Sequence, residues 1–547
     1  MTARWAQVRS LLPGPADYRL LRSSWRADIV AGVTVGIVAL PLALAFGVSS
    51  GAGAAAGLVT AIVAGIVAAV FGGSNVQVSG PTGAMVVVLA PIVAAHGVGA
   101  VAVVAVMAGV LVVLAGLLRL GRVVGIIPWP VIEGFTVGIA IIIFLQQVPA
   151  ALGVGHGHSL NALVAAVQAV GAADWHSAIL PLGVVAVIAV IMLGLTRISP
   201  RIPASFLAIA IVTIVATVAG LPLVLIGELP RALPIPGLPL LDPAILGSLA
   251  GPAVAVAALA AIESLLSARV ADSLSDTGPY HPDRELVGQG LASIAAGLFG
   301  GMPATGAIAR TAVNVRTGAR TRVAVIVHSL ALLAVVYLAA NIVSLIPLAA
   351  LSGVLMVTAA RMASLRTIRR VLRSTRADAL VFLITALVTV SFDLVIAVCI
   401  GVAAAALFAL RALSAGSGVH REELPGDAMD GDGRIALFRI DGALFFGAAD
   451  RITERMSQQA GIDVVILRLS QLQLLDASGA HTLAELVTLL ERRGITVLIK
   501  GIRPEHMRLL TEVGATRALR HPNHLFDELE PAVQHARSHV ERARAGG

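Results

Sequence analysis

The chain has 547 residues, 57% of them hydrophobic and only 13% charged, with a mean hydropathy of +0.92. These values exclude an ordinary soluble enzyme and point to a polytopic membrane protein. A formal net charge of +8 and a pI near 10.8 would suit a nucleic-acid partner, but the arginines follow membrane topology, so nucleic acid is rejected.

The first 27 residues carry five arginines and no apolar signal-peptide core, and they read as a cytoplasmic N-terminal segment. Residues 28–411 read as a transmembrane domain of fourteen segments. The first seven fall at 28–47, 53–71, 79–95, 100–118, 130–148, 179–196 and 203–221. The second seven fall at 248–268, 286–300, 305–317, 322–340, 346–360, 377–393 and 395–411. Residues 1–411 hold 23 arginines, and this assignment puts all but Arg231 on one side. That side is cytoplasmic by the positive-inside rule, so both termini lie inside. The arginine-for-lysine bias and abundant alanine suggest a GC-rich bacterial source, hence the inner membrane. The single cysteine, Cys399, lies in an apolar run and permits no intrachain disulfide.

The third and tenth segments are each interrupted at their start by glycine and proline. One reads Val78-Ser79-Gly80-Pro81-Thr82-Gly83, the other Gly301-Met302-Pro303-Ala304-Thr305-Gly306-Ala307-Ile308-Ala309-Arg310. They hold the same place in each set of seven, as an inverted repeat requires, although no residue-level repeat is visible. Such a pair marks a transporter's midplane binding site. A half-helix starting inside the bilayer presents free N–H groups and a positive dipole end, which favours an anion. Pro81 and Pro303 are expected at the first helical positions, with the hydroxyls of Thr82 and Thr305 as extra donors or as packing.

Glu263 stands in residues 253–267, a run otherwise without charge. An ionisable group there costs about 2.5–3.5 kcal/mol on insertion scales and is a functional candidate by default. Either it takes up and releases a proton, or it is a neutral side chain hydrogen-bonded to a neighbouring helix. Arg310 either adds positive potential near an anion or pairs with an acidic group. Glu133 reads as stabilising an interface or helix end, and Asp393 as a partner in a helix break. His156 and His158 lie in a glycine-rich exterior loop, and no metal is assigned to them or elsewhere.

After Arg411 the composition changes. Residues 412–433 read as a linker, 434–540 as a soluble α/β domain and 541–547 as a tail. Strands are expected at 435–440, 463–469 and 495–499, and helices at 449–459, 478–491 and 504–511. Ser478, in Asp476-Ala477-Ser478-Gly479, reads as an N-cap; the turn resembles that of bacterial regulatory domains in which such a serine is phosphorylated, which implies a candidate phosphorylation site at a helix start.

Together these segments resemble the sulfate permease (SulP) family of anion transporters over nearly the whole chain. The carrying residues are Ala39-Leu40-Pro41-Leu42-Ala43-Leu44-Ala45-Phe46, the two broken motifs, and Ala261-Ile262-Glu263-Ser264-Leu265-Leu266-Ser267. The C-terminal domain resembles a STAS domain through Gly442-Ala443-Leu444-Phe445-Phe446-Gly447 and Asp476 to Gly479. The resemblance implies a 7+7 inverted repeat, core and gate domains, alternating access and a homodimer in membrane lipid. It implies substrate contacts at Leu42, Phe46, Thr82, Gly83, Thr305, Gly306, Ala307 and Ile308, and the coupling-ion carboxyl at Glu263. Sodium-coupled bicarbonate relatives carry Asp at that position and a hydroxyl residue on the tenth helix. Here Ile308 has no oxygen, which favours the proton over sodium.

The expected function is secondary active transport of a small anion: a C4-dicarboxylate such as fumarate, sulfate or bicarbonate. Uncoupled exchange or a channel, sodium-coupled bicarbonate transport, and a sensor signalling through the STAS domain are the alternatives. A nucleobase permease shares the 7+7 plan, but the STAS domain argues against it. No metal cluster, nucleotide loop or nucleophile–base pair supports an enzyme, and no cofactor is expected.

Overall fold

Among the described residues, helices occupy all fourteen expected membrane positions. The first set comprises α1 (Leu21–Ser49), α2 (Ala54–Phe71), α3 (Gly83–His96), α4 (Gly99–Leu117), α5 (Trp129–Gln146), α6 (Trp175–Ile198) and α7 (Ala204–Val218). The second comprises α8 (Pro243–Leu274), α9 (Pro282–Leu298), α10 (Ile308–Arg316), α11 (Arg322–Val343), α12 (Leu348–Met362), α13 (Arg376–Ser391) and α14 (Leu394–Ala415). The computed structural model describes residues 11–14, 17, 20–122, 127–154, 161–199, 202–239, 243–392, 394–415, 418–444 and 461–545. His156, His158, Asp393, Arg201 and the helix expected at 449–459 lie outside them. The chain divides into two compact units, Met1–Ala403 and Ala404–Gly547.

Eight of the described helices are long and apolar enough to cross a membrane, and the chain is a multi-pass membrane protein. Their Ala, Val, Leu and Ile content leaves no polar face, as a helix surrounded by lipid and other helices requires. The helix pairings repeat when the first seven are exchanged for the second seven. Helix α1 packs on α11 as α8 packs on α4. Helix α9 packs on α4 as α2 packs on α11, and α5 packs on α13 as α12 packs on α6. Two further pairs, α2 with α9 and α5 with α12, map onto themselves under the exchange. Three short helices, Val148–Ala151, Ala162–Ala172 and Leu365–Leu372, stand outside this pattern and were not expected.

The third and tenth segments are broken as anticipated, but the breaks are extended rather than helical. Strand β1 (Ser79–Gly80) pairs antiparallel with β2 (Thr305–Gly306), Ser79 opposite Gly306 and Gly80 opposite Thr305. Beyond the strands, Ala307 N–H donates to the Val78 carbonyl (2.8 Å) and Val78 N–H to Thr311 Oγ1 (3.0 Å). Two buried carboxylates clamp the flanks. Glu285 Oε2 accepts from the N–H groups of Gly73 (2.7 Å) and Ser74 (3.0 Å), ahead of β1. Asp28 accepts from Arg320 N–H (2.7 Å), Thr321 N–H (3.0 Å) and the Thr321 hydroxyl (2.7 Å), behind α10. Each removes backbone or hydroxyl donors from an apolar interior where they would otherwise stay unpaired.

The second unit holds β3 (Gly418–Glu422), β4 (Ile435–Leu444), β5 (Val464–Arg468), β6 (Leu472–Leu475), α15 (Ala477–Arg492), β7 (Thr496–Lys500), α16 (Pro504–Val513), β8 (Leu525–Phe526) and α17 (Leu529–Ala545). The sheet order is β3-β4-β5-β7-β8, with β6 also on β4; only β3 runs antiparallel. Alternation sorts the side chains to two faces. Ala436, Phe438, Val465, Leu467, Val497 and Ile499 share a core with α15 and α16 residues. Ile435, Leu437, Val464, Ile466 and Leu498 share another with Ala532, Val533, Ala536 and Val540 of α17. The three expected strands and two of the expected helices are present. The reading of 412–433 as linker is corrected: α14 runs into it and β3 pairs there with β4, although its polar sequence carries little strand signal.

Candidate functional site

The antiparallel bridge sends its two strands in opposite directions, and each leads into a helix. Helix α3 begins at Gly83 and α10 at Ile308, so both N-termini converge on the β1–β2 crossing. The first-turn N–H groups of an α-helix have no partner inside it. Here those of Gly83, Ala84, Met85, Ile308, Ala309 and Arg310 make no hydrogen bond among the described residues. Each N-terminus carries roughly half a positive charge. At α10 the first turn is open, with Ile308 42% exposed.

Glu263, on α8, joins the two breaks. Its Oε2 accepts from Thr82 Oγ1 and Thr305 Oγ1, both at 2.8 Å, and the two hydroxyl oxygens lie 3.1 Å apart. Its Oε1 makes no hydrogen bond among the described residues. One carboxylate therefore senses both half-helices through one oxygen and leaves the other available. Ser264 supports the same crossing: its Oγ accepts from Gly306 N–H (3.1 Å), and its carbonyl accepts from the Gln77 amide (3.2 Å).

Arg310 is 2% exposed. Its Nη2 donates to the Pro81 carbonyl, while Nη1 is buried with no hydrogen-bond partner. It makes no ion pair among the described residues. A buried guanidinium with one unspent edge at the mouth of two helix N-termini is a strong attractor for an anion. Both roles considered for Arg310 stay open: it makes no close ion pair among the described residues, but Glu263 is near enough to interact with it through charge.

Several expectations need correction. Neither Pro81 nor Pro303 starts a helix. Thr82 takes the N-cap position of α3 in extended conformation, and its hydroxyl turns to Glu263 instead of capping. Pro303 precedes β2, and Ala307 is the N-cap of α10. The N–H groups of Gly306 and Ala307 are spent on Ser264 and Val78, so neither is available to a substrate. A Cβ at Gly306 would overlap the Gln77 amide, so that glycine permits close packing of the bridge. A hydroxyl of the tenth segment does reach Glu263, from Thr305 rather than position 308.

Phe46 lies beside the start of α3, its Cε1 3.4 Å from where a Gly83 Cβ would stand, with Ile143 closer still. Leu42, a turn away on α1, packs partly buried against the same core. Glu133 Oε1 accepts from Trp129 Nε1 (3.0 Å) at the start of α5, the helix-end role expected of it. A cavity of about 240 Å³ beside α8 is lined by Leu265, Leu266, Arg122, Arg269 and Tyr280, just past Glu263 in sequence. Ser478 is exposed in the first turn of α15, whose N-cap is Asp476, accepting from Gly479 N–H (2.7 Å). The N-cap reading of Ser478 is therefore wrong: the Asp476 carboxylate, two residues earlier, already fills that place.

The sequence reading missed Gln77, Ser264, Ser267 and Thr311, polar residues inside otherwise apolar segments, which alone could have drawn attention. It also passed over His328, fully buried on α11 with Nε2 unpaired, and a group of histidines near the C-terminus.

The description "Sulfate permease family" matches residues 25–385, and "STAS domain" matches residues 428–532. Among curated relatives, "Putative sulfate transporter YvdB" of Bacillus subtilis (strain 168) is 35% identical, over 92% of this chain and 96% of its own. "Bicarbonate transporter BicA" of Synechocystis sp. is 31% identical, over 86% of each chain. Among solved structures, the transmembrane domain of a cyanobacterial BicA aligns at 32% identity with a TM-score of 0.60, covering 70% of this chain and 97% of that one. The murine Solute Carrier 26 family member A9 anion transporter, solved in the inward-facing state, gives a TM-score of 0.82 over 97% of this chain and 95% of that one. At 16% identity the latter likeness shows the fold alone.

Proposed function

The chain belongs to the sulfate permease family of anion transporters, and from that membership we propose that it carries a small oxyanion together with a proton by alternating access. The observation that carries the reading is the single carboxyl of Glu263 held by one hydroxyl from each broken segment. With Glu263 ionised, its charge offsets that of Arg310, and the field at the crossing comes mainly from the helix ends, roughly +0.5 each. With Glu263 protonated, the full charge of Arg310 is added. Proton binding therefore strengthens anion binding, and a bound anion favours the protonated carboxyl by the same factor. Oε1 is the oxygen free to carry the proton.

The anion sits against the N–H groups of Gly83, Ala84, Ile308 and Ala309, with Arg310 Nη1 behind it. Phe46 and Leu42 form the apolar wall. Arg122 and Arg269, at the cavity past Glu263, draw anions toward the site. The relatives' names favour sulfate and bicarbonate as substrates; fumarate is the third to be tested.

One observation favours a second reading. The oxygens of Thr82, Thr305 and Glu263 already cluster, and they form part of a ligand set for sodium. Uptake of radiolabelled sulfate, bicarbonate and fumarate into proteoliposomes separates the two. Accumulation driven by an inward proton gradient in sodium-free buffer is the expected result. Accumulation that needs a sodium gradient and ignores pH replaces the proton by sodium. Anion flux that follows only the anion's own gradient refutes both.

A further inference from the structure

The α/β unit contains a feature that anion transport does not use. Four histidines fall in its last part with the spacing His521-x2-His524 and His535-x3-His539. His521 caps and His524 ends the 3-10 turn Pro522–His524 leading into β8, and the second pair lies one turn apart on α17, hence on one face. The fold closes the turn onto that face. The rings of His524 and His535 are 5.5 Å apart, those of His524 and His539 5.4 Å, and those of His535 and His539 4.9 Å. The ligating nitrogens of all three lie within 4.8 Å of one another.

We propose that His524, His535 and His539 form a binding site for a first-row transition-metal dication of the zinc type. Zinc takes imidazole nitrogens at about 2.0–2.1 Å, so two ligands on a tetrahedron stand roughly 3.3 Å apart. The Nε2 atoms of His535 and His539 are 3.2 Å apart, already at that spacing. His524 is 4% exposed, and its Nδ1 is buried without a partner among the described residues. A buried imidazole nitrogen left unpaired is costly, and a metal ion removes that cost. Imidazoles suit zinc, copper and nickel, whereas magnesium and calcium require oxygen ligands.

The surroundings agree. Burial, followed by the neighbouring positive charges, pushes His524 down to about 4, and burial likewise leads in lowering His535 and His539. Of the two nearby arginines, Arg520 is paired with Glu491 Oε2 (3.0 Å), and Arg542 donates to the Ser538 carbonyl (3.0 Å). His521, whose ring is 6.1 Å from that of His524, accepts at Nδ1 from Asn523 N–H and keeps Nε2 for the fourth position, which otherwise falls to water. Without metal, the rings make an N–H···N bond and edge contacts. With it, the turn before β8 is tied to the helix whose other face packs on the sheet.

The test uses the full-length protein in detergent, with its affinity tag removed and any metal stripped by chelator. Zinc titration calorimetry should show one saturable ion per chain, and Co(II) should give the visible spectrum of a tetrahedral site. His539→Ala and His535→Gln should each weaken binding by more than the ~10–100-fold that loss of a supporting hydrogen bond costs. His481→Ala, exposed on α15, should change nothing. In the wild type, zinc should also shield His535 and His539 from acylation by diethyl pyrocarbonate, a readout that needs no variant to fold. Absence of 1:1 binding, unaltered binding in both ligand variants, or no shielding overturns the site.

Discussion

Replacing Glu263 by Gln separates coupling from binding. The site holds one carboxyl in contact with both broken segments, so one proton accompanies each anion in the proposed cycle. One pH unit is worth 1.36 kcal/mol, a factor of ten. With the membrane potential clamped at zero, an inward gradient of one unit should therefore sustain about tenfold accumulation by the wild type. Glutamine keeps an oxygen for the Thr82 and Thr305 hydroxyls. Each bond falls from the ~1.5–3 kcal/mol of a charged acceptor toward the ~0.5–1.5 of a neutral one, so the crossing stays built. Accumulation should drop to about onefold, while exchange of labelled against unlabelled anion continues. The assay is uptake into proteoliposomes loaded with buffer and valinomycin. Glu285→Gln is the control, because that carboxylate is committed to Gly73 and Ser74. Tenfold accumulation by Glu263→Gln would refute the argument, and about hundredfold by the wild type would demand a second titrating group.

Arg310→Gln should weaken anion binding strongly, and the loss should persist in high salt, because a side chain 2% exposed is little screened; binding isotherms at two ionic strengths check this. Gly306→Ala should destabilise the membrane unit by about 1–3 kcal/mol through overlap with Gln77, seen as a lower Tm in detergent. Gly479→Ala should do the same to the STAS unit, since its Cβ would overlap the Leu444 carbonyl. The hydrogen bonds and charge of Arg537, on α17, outweigh partial burial and hold Asp432 below the usual carboxylate range. Its contribution is therefore complete above the unfolded value of about 3.9 and disappears as pH falls through the lower folded value. Asp432→Asn should flatten that part of the acid-unfolding curve.

Hydropathy made the long helices legible, because a lipid-facing helix must be apolar along its whole length. Glycine and proline at 80–83 and 301–306 likewise exposed the broken pair. What stayed hidden depends on contacts between distant parts of the chain. Thr82 and Thr305 look like helix-start residues until Glu263 arrives from a third segment. Gly306 and Ala307 look like free donors until the Ser264 hydroxyl takes one N–H and the Val78 carbonyl the other. The His535-x3-His539 spacing was readable as a ligand pair on one helix face, but its third member required the turn at His524 to close.

The crossing of β1 and β2 also has a consequence for biogenesis. Thr82 and Thr305 meet across 223 positions of chain, and Glu263 binds both. Until the ribosome has delivered the second half, Thr82 and the ends of β1 have no partners, and the nascent protein holds an unfinished polar seam within lipid. Closing so long a loop is slow, because its entropy is lost before the contact compensates. The crossing, where the anion is proposed to bind, is therefore among the last parts of the membrane unit to mature. A truncated first half, though rich in membrane helices, is expected to be recognised by quality-control machinery rather than to work as half a transporter.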